Sequence, residues 1–276
     1  MATHQYHRSD NAEVYRANAS FVYSNAFTAA VVKLLDPRPG DHVIDLGCGS
    51  GELTLEVASA VGPDGSVLGL DASADMIAKA QTLAARSTTS TRAPIEFVIK
   101  DGHDALHDKR VDKVFSNAAL HWMKRSPSAV IENVYGVLRP GGRFAAEMGG
   151  HMNCVGVRGQ LHRSLRQRGH DPTQYDPWFF PTPQEYRQLL VNAGFQVESC
   201  ELVPRITPLP KESGLRGWLE TFAGPFLNAI DAEQDKQAVV AEVEDALRPD
   251  CYDAESGIWS VMYVRLRVLA HKPSSS

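Results

Sequence analysis

The fold of this chain is decided by the stretch Val43-Ile44-Asp45-Leu46-Gly47-Cys48-Gly49-Ser50-Gly51. It opens with apolar residues, as a buried strand does, and Asp45 lies inside the run. Three glycines follow, and residues 52–58 then have the spacing of a helix. Glycines allow a ligand to approach the backbone, and a helix N-terminus offers unpaired N–H groups. A strand, a glycine turn and a helix together predict a ligand site.

The spacing of the glycines selects the class of ligand. Dinucleotide sites read G-x-G-x-x-G, whereas the glycines here are at positions 47, 49 and 51. Glu52 takes the place of the third dinucleotide glycine, and its carboxylate would face a pyrophosphate, which argues against NAD. Asp45 precedes the glycines and suits a cationic ligand. The alternative is a tight strand–helix turn that binds nothing.

Length, charge and cysteine usage limit the class of protein. The 276 residues, 43% of them hydrophobic, suffice for one large domain. The formal net charge of -5 offers no basic field for nucleic acid. Four scattered cysteines without a C-x-x-C pair predict a reducing compartment and no metal site. We expect a cytoplasmic protein with no membrane partner, because no signal-peptide core and no apolar run of ~18 residues is visible.

Two further strands are predicted to end on acidic residues. Residues 66–70 lead to Asp71, where an acid can accept hydrogen bonds from ribose hydroxyls; capping of the next helix is the alternative. Residues 95–100 lead to Asp101, where a carboxylate can accept from an adenine amino group and a following backbone N–H can donate to the ring. The predicted cofactor contacts at these two strand ends are Asp71, Ala72, Met76, Asp101, Gly102 and His103.

A fourth strand, residues 111–116, runs into Asn117-Ala118-Ala119-Leu120-His121-Trp122. It should lie across the switch point from the glycine loop, where open α/β sheets bind ligands. We therefore expect Asn117 and Ala118 to contact the cofactor, and His121 and Trp122 to face the group that is modified. The alternatives are a core aromatic for Trp122 and a turn cap for His121.

The rest of the chain predicts additions to this core. Helical spacing begins at about Ser20, and either a ligand-contacting lid or plain packing on the sheet would explain it. The lid residues expected at the ligand are Tyr15, Ser20, Phe21 and Tyr23. The predicted parts of this single domain, residues 1–276, are a helical lid (1–36), a core (37–150), cap insertions (about 151–194 and 208–250) and a last strand (258–269).

The glycine motif resembles the first motif of class I S-adenosylmethionine methyltransferases, and Leu138-Arg139-Pro140-Gly141-Gly142 resembles their turn before the fifth strand. The whole chain resembles the trans-aconitate methyltransferase branch. The matching segments include Ser20-Phe21-Val22, residues 69–73 with Met76-Ile77, residues 116–122, Trp218, Pro225-Phe226-Leu227 and Arg265-Leu266. The resemblance implies a Rossmann-like α/β fold: a seven-stranded, mostly parallel sheet with a final antiparallel strand, plus helical cap elements. It also implies S-adenosylmethionine as cofactor and a small-molecule carboxylate as methyl acceptor.

The chain departs from this branch at two places. His121 stands where the bacterial enzymes are expected to have Gln, and the region 149–180 does not align clearly. The resemblance therefore predicts the residues of the donor site better than those of the acceptor site. The residues expected to contact the acceptor are Tyr23, His121, Trp122, Arg143, His151, Arg158 and Trp178, the last from a segment rich in proline and aromatics.

The acceptor determines whether a base is needed. A carboxylate is ionised at neutral pH, since its pKa is about 4, so it needs alignment and desolvation. A hydroxyl or amine of a secondary metabolite would require a base, for which His121 is the candidate. A regulator that binds S-adenosylmethionine without turnover is the other alternative. A nucleic-acid methyltransferase is disfavoured by the charge and by Asn117-Ala118-Ala119-Leu120, which is unlike N-P-P-Y.

Overall fold

The computed structural model describes residues 25–87, 91–106, 108 and 110–274. The strands are β1 (His42–Leu46), β2 (Ser66–Asp71), β3 (Ile95–Ile99), β4 (Val111–Asn117), β5 (Leu138–Gly149), β6 (Gln196–Pro208), β7 (Tyr252–Asp253) and β8 (Ile258–His271). The α-helices are α1 (Asn25–Leu35), α2 (Glu52–Val61), α3 (Ala74–Arg86), α4 (Pro127–Val137), α5 (Val155–Gln167), α6 (Pro183–Asn192), α7 (Gly214–Phe222), α8 (Gly224–Leu227) and α9 (Glu233–Cys251). Short 3-10 helices cover Leu120–Trp122 and Pro172–Gln174. Within these ranges no helix has the length and apolar character needed to cross a membrane.

Seven strands form one sheet in the order β3-β2-β1-β4-β5-β8-β6, and the two-residue β7 pairs with β8 off this path. Neighbouring strands among β1 to β5 are parallel, whereas β8 runs antiparallel to both β5 and β6. The predicted α/β fold with a final antiparallel strand is confirmed. The strand order reverses between β1 and β4, and their carboxyl ends flank a crevice of the kind that binds ligands.

Alternating side chains of β1 divide the core into two layers. Val43 is buried with Leu35 of α1 and Val57 of α2 on one face of the sheet. Ile44 is buried with Val134 of α4 on the other face. Helices therefore cover both faces, which is why the parallel strands consist of nearly continuous apolar runs. Each fully buried aliphatic side chain contributes roughly 1.5–3 kcal/mol relative to exposure.

A third hydrophobic cluster joins helices α5, α7 and α9 to β8. Its buried side chains include Leu161, Trp218, Val240, Trp259 and Tyr263. The helices within the predicted insertions at 151–194 and 208–250 thus pack mainly with each other. Helix α6 differs, because Tyr186 and Leu190 are buried in the sheet cluster although they belong to the first insertion.

Two elements differ in extent from their sequence patterns. Apolar spacing predicts a fifth strand over residues 143–148, but β5 begins at Leu138, which already pairs with Val111 before a bulge. The pattern also predicts one helical segment over residues 212–247, and the structure divides it into α7, α8 and α9. Pro225 lies in the first turn of α8, where its missing N–H costs no intrahelical hydrogen bond.

Gly47, the first glycine of the loop after β1, is required for two reasons: its backbone conformation and the lack of room for a side chain. Gly47 has φ of 78°, and an added Cβ would lie 2.2 Å from the Cβ of Ala119. The Gly47 N–H also donates to the Leu70 carbonyl at 2.7 Å, which ties the loop to the end of β2. Because glycine has no Cβ, the loops after β1 and β4 can meet at this point.

Gly47→Ala is expected to lower the free energy of unfolding more than Gly40→Ala. Gly40 has a similar φ of 85°, but an added Cβ there has no neighbour within 4 Å. The loss of stability in Gly40→Ala therefore measures the cost of the left-handed backbone alone, about 1–2 kcal/mol. The clash with Ala119 adds roughly 1–3 kcal/mol of overpacking. Urea unfolding measures both variants, and equal losses would contradict the steric constraint.

Candidate active site

Hydrogen bonds from the end of β2 hold the glycine loop in place. The Cys48 N–H donates to the Leu70 carbonyl at 2.9 Å. Asp71 Oδ2 accepts from the Gly49 N–H at 3.0 Å, and Oδ1 accepts from the Ser73 N–H at 2.8 Å. The side-chain cap of α3 is Ser73 and not Asp71. Asp71 instead fixes the glycine loop relative to the start of this helix.

A cavity of about 320 Å³ opens at the ends of β1, β2, β3 and β4. Its lining includes the predicted cofactor residues Asp45, Gly47, Cys48, Gly49, Asp71, Ala72, Met76, Asp101, Gly102, His103, Asn117 and Ala118. The structure thus brings together every predicted cofactor residue that it describes. Tyr15, Ser20 and Phe21, and the predicted acceptor contact Tyr23, lie outside the described residues.

The lining of this first cavity also includes residues that the sequence patterns did not single out. Lys100 and Met123 are two of them. Lys100 directly precedes Asp101, so its place at a strand end was available as a signal. Met123 follows the 3-10 helix, and its Sδ would lie 2.8 Å from a Cβ on Gly102. That contact joins distant loops, and no local pattern reveals it.

Carboxyl groups dominate the charge of the first cavity. Its lining includes Asp45, Glu52, Asp71, Asp75 and Asp101, together with Lys100 and His103. Asp45 is 2% exposed, and Thr54 Oγ1 donates to its Oδ2 at 2.6 Å. Burial raises the pKa of Asp45 to about 7; the Thr54 hydrogen bond opposes this shift and the charge of Asp71 adds to it. Such a cavity favours a cationic ligand over a pyrophosphate.

Asp101 is held as an ionised acceptor at the end of β3. Its Oδ1 accepts from the backbone and ring N–H groups of His103 at 3.0 and 2.6 Å, and Oδ2 lies 3.2 Å from Arg125 Nη2. Partial burial raises the pKa of Asp101, but the hydrogen bonds from His103 outweigh it, so the pKa lies below its usual range. A carboxylate has about four acceptor sites, which leaves capacity for a ligand N–H.

The chain turns sharply at the end of β4. Ala118 has φ of 57°, which is unusual for a residue other than glycine and costs about 1–3 kcal/mol. Its N–H donates to the Glu147 carbonyl at 2.7 Å, so β5 supports the strained turn. Ala118 and Trp122 line the first cavity and also a second, smaller one. These two residues therefore mark the place where the cavities adjoin.

Aromatic rings form most of the second cavity, which has a volume of about 40 Å³. Its rings belong to His121, Trp122, Trp178, Phe180, Trp218, Phe222 and Tyr263. Trp178 stacks on Phe180 at a centroid distance of 5.5 Å and lies edge-on to Trp122 at 6.2 Å. The Phe179 N–H donates to the His121 carbonyl at 2.8 Å, which attaches this segment to the end of β4. The predicted acceptor contacts His121, Trp122 and Trp178 thus meet in one cavity.

His121 is buried and electrically neutral. The Gly149 N–H donates to its Nδ1 at 3.3 Å, which assigns the ring proton to Nε2. Burial, together with a smaller effect of the positive charge of Arg265, lowers the pKa of His121 to about 3. An imidazole of this kind can donate a hydrogen bond through Nε2 but is a weak general base.

Arg143 and His151, predicted to meet the acceptor, line neither cavity. Arg143 donates to the Leu34 carbonyl at 3.2 Å and lies 3.7 Å from Asp36, so it serves the end of α1. His151 lies in the turn after β5 and is exposed to solvent. The structure therefore places these two side chains outside both cavities, and their contact with the acceptor stays a prediction.

Arg158 also lies outside both cavities, but it contacts residues that form and support the wall of the second one. Its Nε lies 2.6 Å from Asp176 Oδ2, and His162 Nε2 lies 2.8 Å from the same oxygen. The guanidinium carbon is 5.3 Å from the centre of the Phe180 ring. Arg158 is thus engaged by a buried carboxylate and an aromatic face.

Several residues of the second cavity were missed from the sequence. They are Asn153, Cys154, Phe180, Trp218, Phe222, Tyr263 and Arg265. Asn153 Oδ1 accepts from the Val264 N–H at 2.9 Å, which joins the loop after β5 to β8. Arg265 carried a signal that it shares with Arg267, because both lie in a mainly apolar strand, where a charge requires a partner or a ligand.

Comparison with known proteins agrees with this site. A family profile described as "Methyltransferase domain" matches residues 37–180. An uncharacterized methyltransferase of Schizosaccharomyces pombe is 38% identical over 269 residues, covering 95% of this chain and 97% of the relative. A trans-aconitate 2-methyltransferase of Deinococcus radiodurans is 30% identical, covering 72% of this chain and 75% of the relative. One of Streptomyces avermitilis is 28% identical, covering 86% and 87%.

Solved structures share the fold. The phosphoethanolamine N-methyltransferase 2 of Haemonchus contortus, in complex with S-adenosylhomocysteine, superposes with a TM-score of 0.60 at 17% identity and covers 98% of this chain and 58% of the other. A SAM-dependent methyltransferase of Methanosarcina mazei has a TM-score of 0.54 at 17% identity and covers 89% and 98%.

The site fits the cofactor of these proteins. Its glycine loop admits a close ligand, its strand ends carry Asp71 and Asp101, and its acidic lining suits the sulfonium and ammonium of S-adenosylmethionine. The family profile spans about half of the chain, and the yeast relative spans nearly all of it. The chain belongs to the class I methyltransferases, enzymes whose cofactor is S-adenosylmethionine.

Proposed function

We propose that the protein methylates a carboxylate oxygen of a small-molecule carboxylic acid. The observation that carries the proposal is the second cavity, which adjoins the first at Ala118 and Trp122 and is lined by the neutral donor His121. Among the described residues, no aspartate or glutamate lines it. Such a cavity suits an acceptor that needs no base.

The first cavity is the proposed donor site. When bound, S-adenosylmethionine supplies a methyl group on a cationic sulfur. Asp71 is proposed to accept from the ribose hydroxyls, since it lines this cavity at the end of β2 and is held beside the glycine loop. Asp101, with the backbone of Gly102 and His103, is proposed to bind the adenine. Asp45 is proposed to favour the cationic end of the ligand, because a neighbouring positive charge stabilises the ionised form of its carboxyl group.

The second cavity is proposed to align and desolvate the acceptor. A carboxylate with a pKa of about 4 is already ionised and has no proton to lose. Its reaction is limited by solvation and orientation, and a near-attack geometry can supply roughly 7–11 kcal/mol of the barrier reduction. Trp122 and Trp178 exclude water from this cavity, and His121 Nε2 is placed to donate a hydrogen bond. No residue is required to move a proton.

The relatives support the same class of acceptor. Two of them are named trans-aconitate 2-methyltransferases, and each covers more than two thirds of this chain. The name describes the methylation of a small organic acid. The proposal for this chain keeps that chemical class and leaves the individual acid open.

Methyl ester formation tests the proposal directly. The protein is incubated with S-adenosylmethionine labelled in its methyl group and a panel of small mono-, di- and tricarboxylic acids. We expect the label to enter a small molecule and to be released as methanol by mild base, because esters hydrolyse and methyl ethers do not. Label confined to hydroxyl or amine compounds, and stable to base, would contradict the proposal.

Asp71→Ala is expected to weaken the binding of S-adenosylhomocysteine by about 1–3 kcal/mol, the scale of lost hydrogen bonds to a charged group. Titration calorimetry measures the affinity, and circular dichroism checks the fold. Asp64→Ala in the exposed turn after α2 is the matched control and should bind as wild type does. Unchanged affinity in a folded Asp71→Ala variant would remove Asp71 from the donor site.

His121→Gln is expected to keep substantial activity, within about 10-fold of wild type, because Gln also donates a hydrogen bond. Loss of a general base would instead cost ~10²–10⁴-fold. The pKa of His121 is lowered to about 3, so the ring is neutral throughout pH 6–9, and the wild-type rate should not vary through its titration. The rates of both proteins are measured against pH with an accepted acid. A nearly inactive His121→Gln variant, together with a wild-type rate that rises with pH through about 6.5, would show that His121 is a base.

A further inference from the structure

Arg265 is a charged residue in the interior of the protein. It lies in β8, paired with Gly149 of β5 on one side and Val203 of β6 on the other. The residue is 6% exposed, and it lines the second cavity. An ionised side chain is rarely buried to this extent unless a partner balances it. The identity of its partner therefore needs an explanation.

Glu147 is the carboxylate nearest to Arg265, but it lies closer to Arg267. Glu147 is 3% exposed, and its Oε2 accepts from Arg267 Nε at 2.6 Å. Its Oε1 lies 3.9 Å from Arg265 Nε, which is beyond hydrogen-bond distance. Arg265 Nε is buried without a hydrogen-bond partner in the part of the chain that the structure describes. Glu147 thus forms its strong ion pair with Arg267 and leaves Arg265 incompletely satisfied.

Positive charge is in excess around Arg265. Arg265 and Arg267 share Glu147 as their close carboxylate among the residues that the structure describes, and Arg205 lies near enough for its pKa to respond to the charge of Arg265. Burial, together with a smaller effect of the charge of Arg265, lowers the pKa of Arg205 to about 10. An additional anion would relieve this repulsion, and a carboxylate is the common partner of a buried guanidinium.

The charge of Arg265 acts on the interior of the second cavity. It lowers the pKa of His121, whose main cause of depression is burial. It also opposes the rise in the pKa of the Cys154 thiol, which burial raises to about 12. Both residues line the cavity, so the guanidinium lies close to the space that they enclose. The Arg265 guanidinium carbon is also 4.8 Å from the centre of the Tyr263 ring, which fixes its plane.

The size of the second cavity limits what can bind to Arg265. A volume of about 40 Å³ corresponds to roughly three water-sized sites of 10–15 Å³ each. A carboxylate group has three heavy atoms and fits this space, whereas a di- or tricarboxylic acid does not fit as a whole. The rest of such an acid would extend past Ala118 and Trp122 towards the first cavity.

We infer that Arg265 binds a carboxylate of the methyl acceptor and is the residue that selects anionic acceptors. The inference rests on the proposed function, because it assigns the anion in the second cavity to the molecule that is methylated. Arg265 supplies the charge-assisted hydrogen bonds, His121 supplies a neutral donor, and the aromatic rings keep water away. The predicted anion contacts Arg143, Arg158 and His151 have no place in this arrangement.

Binding is tested without turnover, in complexes with S-adenosylhomocysteine. Wild type, Arg265→Gln and Arg265→Lys are titrated with acetate, benzoate, succinate and tricarballylate, and tryptophan fluorescence reports binding because three tryptophans line the cavity. Arg216→Gln is the matched control, since Arg216 pairs with Glu244 at 2.7 Å on the outside of α7. We expect at least one acid to bind wild type and the control equally, with a ~10–100-fold weaker affinity in Arg265→Gln.

The stability of the variants separates a binding role from a structural one. Arg265 is incompletely paired, so Arg265→Gln should melt at no lower a temperature than wild type and should bind S-adenosylhomocysteine normally. If Arg265→Gln does not bind S-adenosylhomocysteine, the acid affinities of Arg265→Lys are compared with those of wild type instead. Lysine keeps the positive charge but cannot form the bidentate hydrogen bonds of a guanidinium. A Lys variant that binds the acids as tightly as wild type, or a melting temperature well below wild type in both variants, would overturn the inference.

The outcomes also separate this inference from the proposed function. Arg265-dependent binding of acids that are never methylated would support the anion site and contradict the carboxylate methyltransferase. Methyl ester formation with an unchanged KM in Arg265→Gln would support the function and overturn the role of Arg265. Failure of every acid to bind wild type would overturn the anion site itself.

Discussion

The contact between the loops after β1 and β4 is the constraint on which both cavities depend. Gly47 and Ala119 approach so closely that a single added carbon would not fit. This approach sets the position of the strained Ala118, whose N–H is held by β5. Since Ala118 lines both cavities, a shift of either loop would change the donor site and the acceptor site together.

The two cavities carry opposite electrostatic character. The first is acidic, and burial, with a smaller contribution from the charge of Asp71, raises the pKa of Asp45 to about 7. The second contains the buried Arg265 and a histidine whose pKa burial lowers to about 3. A cationic donor in the first and an anionic acceptor in the second would each relieve an unfavourable charge. The same arrangement brings two oppositely charged reactants to the boundary formed by Ala118 and Trp122.

The donor side of the site was predictable because it follows local rules. In a doubly wound sheet the ends of parallel strands lie side by side, so the positions of Asp45, Asp71 and Asp101 in the sequence already placed them around one crevice. Hydrophobic spacing likewise identified the strands and helices that carry them. The residues after β4 followed from the same topology.

The acceptor side was less predictable because it is assembled from distant segments. His121 follows β4, Phe180 lies before α6, Trp218 is in α7 and Arg265 is in β8, and only tertiary packing brings them together. The arginines proposed from the sequence were chosen by residue type, and the fold gives them other partners. Arg265 and Arg267 both lie in the mainly apolar strand β8, and only the structure shows that Arg267 pairs closely with Glu147 whereas Arg265 lines the second cavity.

A crystal structure of the protein with S-adenosylhomocysteine and a carboxylic acid tests the central claim most directly. Our account predicts the nucleoside beside Asp71 and Asp101, and the acid reaching across the boundary at Ala118 and Trp122. It predicts a carboxylate of the acid within hydrogen-bond distance of Arg265 and His121 Nε2. A structure in which the acid lies outside the second cavity, or in which an uncharged group of the ligand faces Arg265, would contradict the account.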